Sequence, residues 1–229
     1  MIRADTLPCR DEFTERLLQD AEEALALYDT LTHRRLTNVL DIGAHHGTFA
    51  LVACYMGADR VYAVEACAMN YAGLLENIRA ARIPWWRVVP IHAAALEGPC
   101  SITPLYATRG NNSGQYSCYF DPQRYETSEH VFTVQFSQLL AAAPRWDYVK
   151  VDVEGAEWSW LNGPEAAAKS VPHFKYLDIE LHPLSNRDYY PEQPLVPHTL
   201  SDVDQWFRAA GCRIVWREEH PTRLAIVAP

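Results

Sequence analysis

Short apolar runs alternate with helix-length segments along most of this 229-residue chain. The runs NVLDIG (38–43), RVYAVE (60–65) and WDYVKVDVE (146–154) have the length of buried strands, and a helical pattern follows each of them. Strands that alternate with helices predict a mostly parallel sheet with helices on both faces. This alternation constrains the fold more than any other feature, and it predicts an α/β, Rossmann-like architecture.

Three segments depart from the alternation. Residues 1–36 are predicted to be an N-terminal helical extension, which covers the sheet, acts as a lid on a ligand or makes a homodimer contact. Residues 97–136 are rich in turn-forming and aromatic residues between short strand-like runs, which predicts a small antiparallel β insertion. Residues 183–197 form a Pro-rich loop. All three are expected to belong to a single domain that spans 1–229.

The C-terminal part of the chain predicts two helices and a pair of strands. One helix is predicted over 155–169, and Thr199 or Ser201 is predicted to cap another helix that begins near residue 202. The strands 212–218 and 222–228 lie too close together in sequence for a helical crossover. They are therefore expected to be antiparallel neighbours.

The charge balance excludes several classes of partner. The chain has 29 acidic and 20 basic residues and a formal net charge of −9. Binding to nucleic acid or to an anionic membrane surface favours a basic footprint, so we expect neither partner. The N-terminus lacks the apolar core of a signal peptide, and the six cysteines form no CxxC pair. These features predict a cytoplasmic protein.

Polar residues follow every predicted parallel strand. They are Asp41 with Gly43, then Glu65, His92, Asp152 with Glu154, and Glu180 with His182. In open α/β sheets, ligands bind beyond the carboxyl ends of the strands, near the point where the strand order reverses. Distant parts of the sequence are therefore predicted to build one cleft.

The first strand end reads DIGAHHG (41–47). Gly43 and Gly47 are predicted to let the backbone approach a ligand, and the helix that follows points its N-terminus at that ligand. The nicotinamide pattern G-x-G-x-x-G is absent, which argues against an NAD-dependent oxidoreductase. An acid before the first glycine suits a ligand with a positive end, such as the amino group of S-adenosylmethionine (SAM). Glu65 is suited to bind ribose hydroxyls.

The runs VLDIGAHHGTFAL, VYAVEA, YVKVDVEGAEWSWLNG and YLDIELH resemble the FkbM-type SAM-dependent methyltransferases over residues 38–182. The resemblance implies a class I methyltransferase fold, with a seven-stranded sheet whose last strand is antiparallel. It also implies methyl transfer from SAM, usually to a hydroxyl of a sugar or small natural product. The sequence departs from the usual family pattern at His45 and His46. The predicted cofactor contacts are Asp41, Gly43, His45, Gly47, Thr48, Glu65, Ala66, Asn70, Ala93 and Asp152.

The signature acids suggest how the methyl acceptor is activated. Transfer to a hydroxyl needs an aligned oxygen and a general base. Asp152 is predicted to be that base or to hold the acceptor hydroxyl. Glu154 is predicted to orient a basic partner or to stabilise the sulfonium. For Glu157, in the first turn of the next helix, a structural role at the helix dipole is as well supported as a functional one.

Glu180 and His182 lie on one face of the neighbouring strand end, since they are two residues apart. Both are included in the predicted catalytic group. His182 is the second candidate for the general base, because an unperturbed imidazole titrates near neutrality. The alternative is that His182 is hydrogen-bonded to the signature acids and holds the strand ends together.

Further alternatives concern metal, acceptor and turnover. His45, His46, Asp152, Glu154 and His182 offer mixed nitrogen and oxygen ligands, but they lack a local metal-binding spacing, so no metal is predicted. The acceptor atom could be nitrogen or carbon, or the chain could be a binding or scaffold protein without turnover. The expected partner is a small hydroxylated molecule. Aromatic residues beside two loops are candidates for acceptor contacts: Tyr106, Tyr116, Tyr119 and Phe120 at 108–117, and Tyr189 and Tyr190 in the Pro-rich loop.

Overall fold

A computed structural model of the chain describes residues 3, 6–9, 14–108, 116–118, 125–182, 198–216 and 222–229. Most of the polar loop at 108–117, Tyr119, Phe120 and the whole Pro-rich loop with Tyr189 and Tyr190 lie outside the described residues. The predictions about these loops therefore stay predictions.

The described residues contain eleven strands and seven α-helices. The strands are β1 (Asn38–Ile42), β2 (Arg60–Glu65), β3 (Val88–His92), β4 (Ala94–Ala95), β5 (Ile102–Thr108), β6 (Tyr116–Ser117), β7 (Tyr125–Val134), β8 (Tyr148–Val151), β9 (Tyr176–Glu180), β10 (Arg213–Trp216) and β11 (Arg223–Val227). The helices are α1 (Thr14–Thr32), α2 (Thr48–Tyr55), α3 (Ala68–Ala80), α4 (Phe136–Ala141), α5 (Glu157–Trp160), α6 (Pro164–Ser170) and α7 (Leu200–Ala209). None of these helices is both long and apolar enough to span a membrane.

The main sheet has seven strands in the order β3-β2-β1-β8-β9-β11-β10. The last strand in the chain, β11, runs antiparallel to both of its neighbours, whereas the other pairs are parallel. The predicted mostly parallel sheet and the antiparallel final pair are confirmed. The strand order reverses at β1, which pairs with β2 on one side and with β8 on the other. A ligand cleft is expected beyond this point.

Helices cover both faces of the sheet, as the apolar strands require. One face packs against α1, α2 and α3 through residues that include Leu25, Phe49 and Leu74. The other face packs against α4 to α7 through residues that include Leu139, Trp158 and Phe207. Continuous apolar strands such as β8 are buried because both of their faces are covered.

The N-terminal helix α1 covers the sheet directly. Its buried stripe includes Leu18, Ala21, Leu25 and Tyr28, at the three- and four-residue steps of an amphipathic helix. The ring of Tyr28 lies 5.6 Å from that of Tyr148 in the sheet, a spacing typical of tilted aromatic pairs. Of the three alternatives for this segment, covering the sheet is confirmed.

The insertion forms a second, four-stranded sheet in the order β4-β7-β5-β6. The pairs β5–β7 and β5–β6 are antiparallel, as predicted, whereas the short strand β4 runs parallel to β7. Ser117 in β6 donates a hydrogen bond to the carbonyl oxygen of Glu154 (2.8 Å). The insertion is thereby attached to the turn that follows β8.

The predicted helix over 155–169 is wrong as a single element. The chain forms two short helices, α5 and α6, separated by Leu161–Gly163. Gly163 has φ of +155°, and Pro164 occupies the first turn of α6. A proline has no N–H to continue the preceding hydrogen-bond pattern but is well suited to a helix start, so the Gly-Pro pair ends one helix and begins the next.

Thr199 is the cap of α7, and its removal should destabilise the protein. Its hydroxyl accepts a hydrogen bond from the backbone N–H of Asp202 (3.3 Å), and the Asp202 carboxylate accepts one from the N–H of Thr199 (2.6 Å). We expect Thr199→Ala to lower the free energy of unfolding by about 1 kcal/mol. Urea unfolding should show a lower midpoint with an unchanged m value.

Ser201→Ala is the matched control for this prediction. The Ser201 hydroxyl accepts a hydrogen bond from the Gln205 side chain (3.3 Å) and does not cap the helix. We expect the free energy of unfolding of this variant to change by less than about 0.5 kcal/mol. Equal losses in the two variants would contradict the assignment of the cap.

Candidate active site

A cavity of about 300 Å³ opens beyond the carboxyl ends of β1, β2, β8 and β9, at the point where the strand order reverses. All four predicted catalytic residues line it: Asp152, Glu154, Glu180 and His182. Of the predicted cofactor contacts, those that line it are Gly43, His45, Thr48, Glu65, Ala66, Asn70, Ala93 and Asp152. The prediction of one cleft built from distant strand ends is confirmed. Asp41 and Gly47 do not line this cavity.

Gly43 is required by the packing of the site itself. Its φ is +83°, and a Cβ atom at this position would lie 1.8 Å from the backbone oxygen of Asp152. Gly47 also has a left-handed backbone, but a Cβ there would collide with the Leu74 side chain. Gly47 therefore makes room for α3, and its predicted role in admitting a ligand stays a prediction.

Asp41 is completely buried, 3.6 Å from the ammonium of Lys150, and neither of its oxygens has a hydrogen bond among the described residues. Burial raises its pKa to about 6; the charge of Lys150 opposes this rise, and those of Asp152 and Glu65 add to it. The predicted direct contact between Asp41 and the amino group of SAM does not match this placement. Lys150 lies on the cavity wall in its place.

Lys150 joins the two loops that bound the cavity. Its ammonium donates a hydrogen bond to the carbonyl oxygen of Gly43 (3.1 Å) and lies 3.4 Å from Asp152 and 3.6 Å from Asp41. Burial favours the neutral amine, but the charges of Asp152 and Asp41 outweigh burial and raise the pKa of Lys150. The sequence analysis gave this residue no role. The available signal was its position two residues before Asp152, which puts both side chains on one face of the strand.

Glu65 accepts hydrogen bonds from the backbone N–H of His45 (2.7 Å) and of Cys67 (2.9 Å), one on each oxygen. It thereby fixes the loops after β1 and β2 relative to each other. Glu65 also has a hydrogen bond with the Asn70 side chain. Since each carboxylate oxygen has two acceptor positions, Glu65 can accept one further hydrogen bond. Its buried place on the cavity wall agrees with the predicted role in binding ribose hydroxyls.

His182 lies among four carboxylates. Its Nδ1 is 3.0 Å from Glu157, and its Nε2 is 3.9 Å from Asp152, 3.8 Å from Glu154 and 3.9 Å from Glu180. Glu157 is completely buried and accepts hydrogen bonds from the backbone N–H groups of Gly155 (3.0 Å) and His182 (2.5 Å). Glu157 therefore does more than complement a helix dipole, because it joins the strand ends and orients the imidazole.

The surrounding charges change the acid–base character of this group. Burial alone would lower the pKa of His182, but the hydrogen bond to Glu157 and the charges of Glu157, Glu154 and Asp152 raise it to about 10. The imidazole is thus protonated at neutral pH. Burial would raise the pKa of Asp152, but Lys150, His182 and Arg223 hold it below its usual value. Without a ligand, neither residue is a good general base, and the alternative of a histidine bonded to the signature acids is confirmed.

Glu154 occupies a strained turn that the insertion holds in place. Its φ is +51°, an uncommon value for a residue with a side chain. The hydrogen bond from Ser117 to its carbonyl oxygen fixes this turn. Nothing in the sequence indicated that the insertion contributes to the position of a signature acid.

Arg223 in β11 is a further cavity residue that the sequence analysis missed. It is 6% exposed, and its Nε donates a hydrogen bond to Asp178 (3.2 Å), which also accepts one from the hydroxyl of Tyr148 (2.8 Å). Among the described residues, no group accepts a hydrogen bond from its two terminal nitrogens. Arg223 stands in no motif, and only the pairing of β11 with β9 brings it to Glu180.

The residues considered for metal binding come together only in part. Potential ligand atoms of Asp152, Glu180 and His182 lie within 4.8 Å of one another, and no such group of described residues includes His45 or His46. The ring of His45 stacks on that of His46 (4.1 Å). Acidic groups often converge without an ion, and the ammonium of Lys150 already neutralises Asp152. This arrangement does not identify a metal site.

The amino-acid sequence matches the profile of the methyltransferase FkbM domain over residues 41–214, which is most of the chain. The chain belongs to the FkbM methyltransferase family. The resemblance seen in the sequence is confirmed, and with it methyl transfer from SAM. No curated protein sequence matches the chain.

Solved methyltransferases share the fold of this FkbM-family protein. Magnesium protoporphyrin IX methyltransferase from Synechocystis PCC 6803, solved with bound SAM, superimposes with a TM-score of 0.51 at 13% identity, covering 96% of this chain and 86% of that one. The METTL16 methyltransferase domain superimposes with a TM-score of 0.52 at 9% identity, covering 90% of this chain and 66% of that one. A methyltransferase FkbM from Methylobacillus flagellatus superimposes with a TM-score of 0.48 at 15% identity, covering 97% of this chain and 56% of that one. At these identities the first two superpositions show the shared fold alone.

Gly43→Ala tests whether the close approach of the two loops builds the site. We expect a loss of at least about 3 kcal/mol in the free energy of unfolding, because the new methyl group meets backbone rather than a movable side chain. Thermal melting with and without S-adenosylhomocysteine (SAH) should also show no stabilisation by the ligand. Gly57→Ala is the control, since Gly57 has a φ of +101° but nothing within 4 Å of the added atom. If Gly43→Ala and Gly57→Ala lower the free energy of unfolding equally, backbone strain, and not the contact with Asp152, is what requires glycine at position 43.

Proposed function

We propose that this FkbM-family protein is an O-methyltransferase that acts on a hydroxyl of a small, polyhydroxylated molecule. The observation that carries the proposal is the composition of the single cavity described above. One part is lined by the loops after β1 and β2, and the other by three carboxylates and an imidazole that face the same space. A site rich in hydrogen-bond acceptors suits hydroxyl groups, which each offer a donor.

The residues present suit SAM, which supplies the methyl group as an electrophilic sulfonium. Glu65 would hold the ribose hydroxyls, and Ala66 and Ala93 would offer apolar contacts beside them. Lys150 would bind the carboxylate of the methionine portion, because its ammonium lines the cavity. The half-buried carboxylates of Asp152, Glu154 and Glu180 would stabilise the positive sulfonium. This division assigns Lys150, and not Asp41, to the first contact with the methionine portion.

The acceptor would lie against β8, β9 and β11. Glu154 and Glu180 can accept hydrogen bonds from its hydroxyl groups, and the two terminal nitrogens of Arg223 can donate to its oxygens. Leu17 and Asp20 of α1 also line the cavity, which suits α1 as a wall of the acceptor site. The net charge of −9 favours a small molecule over a nucleic acid. Methylation of nitrogen or carbon on a similar molecule is the second candidate.

Titration calorimetry with SAM, SAH and NAD tests the first part of the proposal. We expect micromolar binding of both adenosyl ligands and no binding of NAD, because the glycine pattern of dinucleotide sites is absent. Failure of both adenosyl ligands, with and without added Mg²⁺, would contradict a working methyltransferase site. If they bind, a panel of hydroxylated acceptors and their amino analogues can be screened by the formation of SAH. A preference for the amines would overturn O-methylation.

Two variants separate binding from turnover. Lys150→Met should weaken SAM binding by at least about tenfold, because it removes a buried charge that contacts both loops. Asp152→Asn should weaken SAM binding less than Lys150→Met, because Glu154 and Glu180 remain in the cavity. It should lower the methylation rate at least about a hundredfold, because it removes a carboxylate from the reacting end of the cavity. Calorimetry and an SAH-formation assay with an acceptor from the panel measure the two effects. Equal loss of binding in both variants would show that the assigned roles are wrong.

A further inference from the structure

The imidazole of His182 is the cation at the centre of an acidic cluster. Asp152 and Glu154 face it from the turn after β8, Glu157 from α5 and Glu180 from β9. The other charged groups of the cavity are Lys150 on β8, Arg223 on β11, Glu65 on β2, and Arg16 and Asp20 on α1. Asp41 and Asp178 lie buried behind them, paired with Lys150 and Arg223. Carboxylates outnumber cations even when His182 is protonated.

The two nitrogens of His182 have different surroundings. Nδ1 is engaged by the buried Glu157, which fixes the ring. Nε2 lies on the cavity side, 3.8–3.9 Å from three carboxylates, which is attractive for a charge but too far for a direct hydrogen bond. The proton on Nε2 is therefore held mainly by charge. It can be lost without the ring losing its position.

The methyl donor brings a second positive charge to the same carboxylates. A sulfonium bound in this cavity and a protonated His182 repel each other. The fraction of His182 that is protonated at Nε2 must therefore depend on whether the bound ligand is SAM or SAH, whose sulfur is uncharged. We propose that the sulfonium and the Nε2 proton of His182 are alternative cations of this carboxylate cluster, so that SAM binding releases the proton and methyl transfer restores it. This inference rests on the proposed function and deepens it.

The exchange balances over the reaction. The bond between sulfur and the methyl carbon breaks, a bond from the methyl carbon to the acceptor oxygen forms, and the hydroxyl proton passes to the free Nε2. The sulfur becomes neutral as the imidazole becomes positive, so the cluster holds one exchangeable positive charge throughout. The exchange gives His182 a free Nε2, and with it the role of base, in the fraction of SAM complexes that have lost the proton, and this fraction rises with pH.

The size of the effect sets the conditions for the experiment. A unit charge about 6 Å away, at an effective dielectric constant of about 20, changes a proton affinity about a hundredfold. The pKa of His182 is about 10 in the free protein. It would then be about 8 in the SAM complex, which corresponds to release of about 0.7 proton per SAM at pH 8.5 and about 0.1 at pH 7. Asp41, with a pKa of about 6, is already mostly ionised at both of these pH values.

The direction of the pH dependence follows from the same linkage. SAM binds the deprotonated form better, so its affinity should rise with pH between the two pKa values and level off above the higher one. SAH has no sulfonium, and its affinity should not show this rise. SAM and SAH share their amino and carboxyl groups, but the sulfonium also lowers the pKa of the amino group of SAM itself. The contribution of His182 is therefore isolated by comparing each ligand between the wild-type protein and His182→Asn.

The test is calorimetry of SAM and SAH binding to the full chain at pH 8.5, in buffers of different ionisation enthalpy and with EDTA present. The dependence of the heat on the buffer gives the number of protons released. We expect SAM to release at least about 0.5 proton more on binding to the wild-type protein than on binding to His182→Asn, whereas SAH should release the same number with both proteins. Asparagine retains a donor for Glu157 and has no group that titrates in this range, so only the proton of His182 is removed from the comparison. His33→Asn, at an exposed loop residue before β1, should release as many protons as the wild-type protein.

The outcomes separate this inference from the proposed function. If neither ligand binds, the proposed function fails. If both bind, and the wild-type protein and His182→Asn release the same number of protons with SAM, the function stands and the proton exchange at His182 is refuted. An equally large difference between the two proteins with SAH would show that the release does not depend on the sulfonium, which also refutes the exchange. Proton release by Mg²⁺ alone would make a metal the resident cation and also refute it. Should the variant fail to fold, carbon-13 NMR of the histidine rings in the wild-type protein measures the same titration with SAM and with SAH.

Discussion

The buried ammonium of Lys150 is the interaction on which the site depends. It binds the Gly43 carbonyl after β1 and balances Asp41 and Asp152 on adjacent strands. Without it, the completely buried Asp41 would lose the positive charge beside it and remain close to the negative charge of Asp152. A buried charge left uncompensated costs several kcal/mol. The close approach of the two loops, which only a glycine at position 43 permits, brings these groups together.

A second ion pair extends this arrangement across the sheet. Asp178 binds Arg223 and Tyr148, which connects the antiparallel strand β11 to the centre of the sheet. Beyond it, Glu157 and His182 join the turn after β8 to the end of β9. In these pairs, the carboxylates of Asp178 and Glu157 bind groups of the protein and hold its strands together. The carboxylates that remain face the cavity, where a cationic methyl donor and a hydroxylated acceptor suit them best.

Much of the fold was predictable because it depends on local periodicity. Apolar runs of strand length, helical spacing and the short link between the last two strands led to the correct sheet, including the antiparallel β11. The helix over 155–169 was mispredicted because the Gly163–Pro164 break interrupts a segment whose other residues favour a helix. The positions of the acids at the strand ends were also predictable, since parallel strands bring their carboxyl ends to one edge.

The sequence by itself determined the order of strands and helices, the family and the set of polar residues at the strand ends. Only the tertiary structure decided which of these residues face the cavity and what charge each one has. Asp41 is hidden behind Lys150, Gly47 makes room for Leu74, and Arg223 reaches the cavity from the last strand. The physical reason is that burial and the distances between charges arise from segments far apart in the chain. A local sequence pattern contains neither the burial of a group nor its distances to other charges. These two quantities together set the pKa of His182 and the chemistry of the site.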